Sequence, residues 1–421
     1  PFSAARWTIV HQPPSSTLDT GDLVQVDNLL ARFSEITLTP VVPGRIVLGV
    51  ELEDVDGPTP QFTVEIWVDG DLSVPGDYAD LEAAIADVSE NSAVRVAAGT
   101  YFVNAVRDRS TTIIGDGAPT TIFDGARAGP VVDQTTGLLT LEGLTLTNGR
   151  GILGGGVYSA SGDVALTDVV LAGNEALDGG GIFLDNSDLT ARGVSITENI
   201  AARDGGGIAL VTQLGTRQLD VTQSLVAGNV AVDEGGGVYV NRVDARFGNT
   251  IFADNRAEDG GAIRIIGFEA RGSLELDHVT ATYNSADEGS FVDLRSLDTL
   301  TIRNTILFRQ LDAPDLRIVN ASPIPDLTME FTLLTGNLQP PFDFGSIPTS
   351  VLPVPTNTPD NGNQIGTGAP GFVNIDAAED WTTHDWMLNP ALSTAIDAGE
   401  DVDGNAVDLG AFGGADGNWT P

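Results

Sequence analysis

Between residues 140 and 310 short apolar runs alternate with Gly- and Asn-rich breaks, and the alternation repeats. A frame set on asparagine brings Asn148, Asn174, Asn199, Asn229, Asn255 and Asn284 into line, with steps of 26, 25, 30, 26 and 29 residues. Each asparagine follows an apolar-rich stretch such as Val169-Val-Leu-Ala-Gly or Thr250-Ile-Phe-Ala-Asp. A little further on comes an acidic residue with a glycine cluster: Asp178, Asp204, Glu234, Asp259 and Glu288 head these clusters. A β-branched or aromatic strand follows at once, as in Ile182-Phe-Leu and Val238-Tyr-Val. The frame Thr305-Ile-Leu-Phe-Arg-Gln310 reads as a decayed repeat with Gln310 at the asparagine position.

Strands this short form no stable sheet alone, whereas stacked rung on rung they pair above and below at about 4.8 Å. Asparagine tolerates the left-handed conformation a sharp corner needs, and identical side chains in register form a hydrogen-bonded ladder. Glycine supplies positive φ and lets backbone pass close to backbone. A leucine-rich-repeat horseshoe is the competing solenoid, but its leucine spacing is missing and no helix-length segment fits between the strands. The pattern predicts an all-β, right-handed parallel β-helix with rungs of roughly 25–30 residues.

The Asn-x-Ala-x-Asp-Gly-Gly-Gly-Ile/Val pattern resembles the repeats of polymorphic outer-membrane and pectin-lyase-like β-helix proteins over Asn148 to Gln310. Ahead of it, residues 78–88 place apolar positions at helical spacing and are followed by Val94-Arg-Val-Ala-Ala-Gly-Thr-Tyr101. The resemblance implies that this helix caps the solenoid's N-terminal end, and a bare end would expose core and strand edges. Pro370-Gly-Phe-Val, the run from Trp386 to Gly399 and the run from Val407 to Gly413 are similar to the tail of secreted bacterial β-helix proteins of the choice-of-anchor group.

Three regions are expected: 1–72, a small β region; 73–338, the β-helix; and 339–421, a Pro-rich connection and a C-terminal cap. In the first, Arg45-Ile-Val-Leu-Gly-Val-Glu-Leu and Phe62-Thr-Val-Glu-Ile-Trp-Val alternate with period two. Ahead of them Ala5-Arg-Trp-Thr-Ile-Val-His11 is a strand on a Pro/Ser tether, suited to its own domain or to a neighbour's sheet edge.

Charge narrows the function. Lysine is absent, all 20 basic residues are arginine, and 59 Asp and Glu leave a formal net charge of −39. Such a surface repels nucleic acid and anionic membrane and attracts cations. It suits high salt, although genomic GC bias also trades Lys for Arg. The absence of cysteine excludes disulfides, thiolate metal sites and cysteine nucleophiles. No apolar run reaches the roughly 18 residues of a membrane span, so no transmembrane segment is expected. A secreted, mature chain is expected, its signal peptide removed.

The acidic column Asp178, Asp204, Glu234, Asp259 and Glu288 stacks if the rungs are in register. It then flares into solvent, takes up Ca²⁺ or cationic matter, or serves catalysis. Asp401, Asp403, Asn405 and Asp408 offer the alternating oxygen ligands of a calcium loop, with glycine at position four rather than the six of an EF-hand. No cofactor is required by either. Polysaccharide lyases and hydrolases of this fold use basic partners or clustered Asp residues. Leu276-Asp-His278 faintly resembles the Ile-Asp-His of pectate lyases, but the accompanying Arg-x-Pro-x-x-Arg is missing, and His278 reads as a residue of a repeat strand. His11 and His384 lie in unrelated segments. The expectation is a non-catalytic extracellular structural or adhesive protein, assembling as a homo-oligomer or homopolymer through its N-terminal strand and contacting glycans or a cell surface. The alternative is a lyase or hydrolase acting on acidic glycans.

Overall fold

The computed structural model describes residues 4–19, 24–28, 33–37, 42–54, 57–58, 61–213, 215–267, 272–308, 310–318, 326–330, 332–335 and 342–343. It also describes strand segments 364–365, 372–374, 385–388, 399–400 and 406–407. Within these the chain winds into a parallel β-helix with three long sheets. Face A holds eleven strands from Leu72–Val74 to Asp326–Glu330, and face B eleven from Gly99–Phe102 to Gln364–Ile365. Face C holds ten, from Ala105–Arg107 to Phe342–Asp343, so stacking continues past residue 338.

Alternate side chains of each strand point inward, as a period of two requires. Leu139 and Leu141 on face A, Leu146 on face B and Val157 on face C are all fully buried. Their counterparts on later rungs continue one core the length of the solenoid. Each such aliphatic side chain contributes about 1.5–3 kcal/mol by leaving water. Three rings, Phe247, Phe252 and Phe291, step across the rungs edge to face, with centroids 5.1 and 5.9 Å apart.

From the third complete rung onward, corners between faces A and B turn on single left-handed residues, Gly143, Asp168, Gly193, Gln223, Asn249, His278 and Asn304, with φ between 48° and 65°. His278 is therefore a corner residue between strands Ser273–Asp277 and Thr280–Thr282, not a strand residue. The period-two pattern carries no signal for a one-residue turn, which is why the corner reads as strand in sequence.

The expected cap helix is shorter than residues 78–88. It spans Leu81–Asp87, because Asp80 takes up the N-cap position and accepts a hydrogen bond from the Ala83 N–H at 3.1 Å. Leu81, Ala84 and Ile85 bury against the first rungs. Buried Arg107 donates to the Ala86 carbonyl at 3.2 Å, satisfying the helix's C-terminal end.

Ahead of the solenoid lies an antiparallel sheet in which Gly44–Asp54 runs between Ala4–His11 and Phe62–Val68. Its own small core is Leu18, Ile46 and Leu48, against which Trp7, Ile9, Ile66 and Val68 pack. Trp67 fastens it to the solenoid, its ring 3.9 Å from the guanidinium carbon of Arg109.

Candidate functional site

The asparagine column is a buried polar ladder. Asn174, Asn199, Asn229, Asn255 and Asn284 have no solvent exposure. Each Nδ2 donates to the next Oδ1 at 2.9–3.0 Å, and Asn284 donates to Gln310 Oε1 at 3.0 Å. Each Nδ2 also donates to a backbone carbonyl, Asn229 to Ile196 O at 2.8 Å. Each Oδ1 from Asn199 onward also accepts the backbone N–H of the preceding asparagine. The left-handed conformation belongs instead to the residue just before each asparagine, for example Gly173, Glu198 and Gly228.

Asn148 is the exception, and the sequence frame is corrected there by one residue. Asn148 itself has φ 54°, occupies the Gly173 position, and donates to Asp124 Oδ2 at 3.0 Å. Gly149 stands at the ladder position and gives only its N–H, to Asn174 Oδ1 at 2.9 Å. Asparagine suits both positions, the left-handed turn and the ladder, so identity alone does not fix the register.

The acidic column stacks in register. The glycine N–H after each of these positions donates to the carbonyl of the acid on the next rung, from Gly154, which follows Leu153, to Asp178 and on through Asp204, Glu234, Asp259 and Glu288, at 2.8–3.0 Å. It does not simply flare into solvent, because arginines thread it. Arg203 pairs with Asp178 and Asp204, and Arg264 with Glu234 at 3.0 Å and Asp259 at 3.4 Å. Arg295 reaches Asp259 at 3.1 Å, and Arg317 pairs with Glu288.

Arg264 is fully buried and also pairs with the fully buried Asp293, to which Arg317 donates at 3.1 Å. Register places Arg264, Asp293, Arg317 and Asp343 directly above one another at the second position of face-C strands. Earlier rungs hold Asp133, Tyr158, Phe183, Ala209 and Tyr239 in that column. These partners were missed in sequence, although a column of alternating sign at repeat spacing is visible once the frame is known.

Lower in the column, Asp204, Asp233, Glu234, Glu258 and Asp259 line an open pocket of about 350 Å³. Burial pushes the Asp204 carboxyl up to about 6, and the neighbouring Glu234 and Asp178 add to the shift. Asp259, Glu288 and Asp293 bring carboxylate oxygens within 4.8 Å of one another, a spacing a cation would fit. Arg264, Arg295 and Arg317 already supply positive charge at that point.

His278 Nδ1 lies 2.9 Å from Asp277 Oδ1, which also accepts from Asn304 at 3.0 Å, an orienting contact within the corner. Asp401, Asp403, Asn405 and Asp408, like His384, lie outside the described residues. The adjoining strands Gly399–Glu400 and Ala406–Val407 pair antiparallel.

Fold and site together define a parallel β-helix repeat protein with a buried amide ladder and an arginine-threaded acidic column. The solved structure of Yersinia enterocolitica family 28 exopolygalacturonase is similar at 11% identity and a TM-score of 0.27, covering 74% of this chain and 84% of that one. No family model and no curated protein matches the sequence. Among the described residues no helix is long and apolar enough to cross a membrane.

Proposed function

We propose that this is a non-catalytic structural protein of an extracellular surface, a rigid rod that assembles with copies of itself. The observation that carries the reading is the arginine threading of the acidic column. Carboxylates held rung to rung by Arg203, Arg264, Arg295 and Arg317 stiffen the rod and are poorly placed to shuttle protons. The open pocket is walled by five carboxylates, which repel an acidic glycan. Divalent cations such as Ca²⁺ gather there, where carboxylates outnumber guanidiniums. Display at a cell surface agrees with the resemblance to polymorphic outer-membrane repeats and to choice-of-anchor tails. Negative-stain microscopy of the purified chain, with and without chelator, tests this: ordered fibres are expected, and monodisperse short rods at every concentration would refute it.

A second reading, a glycan hydrolase, has one observation in its favour. Burial pushes the Asp204 carboxyl up to about 6 in an open pocket that Glu234 also lines, and a carboxyl that keeps its proton near neutral pH is what a general acid in glycan hydrolysis needs. Turnover of oligosaccharides, lost in a folded Asp204→Asn variant, would establish it.

A further inference from the structure

We infer that residues 4–18 form an exchangeable donor segment, and that in the assembled protein strand Ala4–His11 lies along Gly44–Asp54 of a second copy. The inference rests on the structural-polymer reading and names the contact that builds the polymer. Among the described residues Ala4–His11 is an edge strand, paired on one side only, from Ala4 opposite Glu53 to His11 opposite Val47. Its pairing is not that of a tight hairpin, since 25 residues, 19–43, separate Leu18 from Gly44. Within it Val24–Asn28 pairs antiparallel with Phe33–Thr37, which brings the hairpin's two ends together; the 11 residues on either side of it, 19–23 and 38–43, span up to about 36 Å at about 3.3 Å each, enough to reach a neighbouring molecule.

The seat for this segment is demanding. Trp7, Ile9 and Leu18 close over Ile46 and Leu48, so an empty seat would expose a small core to water. Pro13 is buried where Gly44, at φ 119°, leaves no room for a side chain: a Cβ there would lie 2.8 Å from the proline ring. His11 reaches past the sheet to Asp87 of the cap helix, Nε2 to Oδ2 at 2.6 Å. Asp87, only 2% exposed, also accepts from Arg45 at 3.0 Å and from Tyr78 at 2.9 Å. The same contacts form whichever copy supplies the strand, the basis of exchange between protomers.

Charge favours a donor of this composition. Two molecules of formal charge −39 repel, yet residues 1–18 carry Arg6 and His11 and no acid at all. The seat presents Glu51 opposite Arg6 and Asp87 opposite His11. The acid-free segment thus meets an acidic groove, and its insertion ties the sheet and the solenoid cap of the receiving copy together.

The chain contains no cysteine, so a disulfide reports the pairing cleanly. Arg6→Cys and Glu51→Cys stand directly opposite in register, close enough to bond. The double variant must cross-link either within a chain or between chains, and both single variants are checked for folding by thermal denaturation. Expected are a covalent ladder from the double variant and a covalent heterodimer from the two single variants co-expressed. Adding Asp87→Asn should lower the heterodimer yield roughly tenfold. Intramolecular bonds alone, with no heterodimer, would overturn the inference. If fibres persist in that case, the structural reading stands with a different contact; if no assembly is seen at all, both fall.

Discussion

The amide ladder shows how much one side chain can be asked to do. Asn229 uses its Oδ1 and both Nδ2 hydrogens inside a site with no water access. Truncating it strands two donors on the preceding rung, the Asn199 N–H and Nδ2, and two acceptors, the Ile196 carbonyl and Asn255 Oδ1, each stranded group costing about 1–3 kcal/mol. Asn229→Ala is therefore expected to destabilise by about 3–5 kcal/mol in urea unfolding, with the transition remaining cooperative. Asn148→Gly, in a turn at φ 54° that glycine adopts freely, should cost under about 1 kcal/mol. Equal losses for the two would refute the one-residue correction of the ladder's frame. The ladder was legible as a spacing; its fine register was not, because both roles accept the same amide.

At the scale of a rung, the glycine cluster divides its labour. Gly205 takes the left-handed turn at φ 67°, while Gly206 sits where a Cβ would stand 2.3 Å from the Gly236 carbonyl oxygen of the next rung. Gly206→Ala must push two rungs apart and should cost several kcal/mol, whereas Gly173→Asn, with only Thr147 at 3.9 Å, should be tolerated. Comparing their melting temperatures decides the point.

The acidic column gives a pH dependence on the same scale. Asp204 titrates near 6 folded and near 3.9 unfolded, so the folded state binds its proton more tightly. That stabilisation is complete below about pH 4 and is lost as pH rises through 6, a change of about 1–3 kcal/mol. Unfolding free energy measured from pH 4 to 7 should fall accordingly, and Asp204→Asn should flatten the slope.

For the whole molecule, self-repulsion is the main electrostatic fact. A charge of −39 destabilises the compact state in dilute buffer, and salt screens it with a Debye length of about 10 Å at 0.1 M and 3 Å at 1 M. Melting temperature should rise steadily with NaCl. Millimolar Ca²⁺ should add a further rise at constant ionic strength, one that Asp204→Asn combined with Glu258→Gln removes. A melting temperature that falls with salt would mean the arginine pairs outweigh the repulsion.

Sequence alone determined the solenoid. A stack whose rungs share one pattern repeats its side-chain identities, so periodic Asn, acid and glycine expose the register of strands that are far apart in the chain. It also put the acids at repeat spacing, which makes a column once the rungs are in register. Only the tertiary structure decided what that column meets. Arg264, Asp293 and Arg317 belong to strands of a different face, and the winding of the chain folds them under the acidic corner. Asp87 is likewise one acid in a short helix until the fold brings His11 and Arg45 to it from 76 and 42 residues away. A repeat encodes contacts between equivalent positions; contacts between unlike positions depend on where each turn closes, and a single residue of corner geometry sets that.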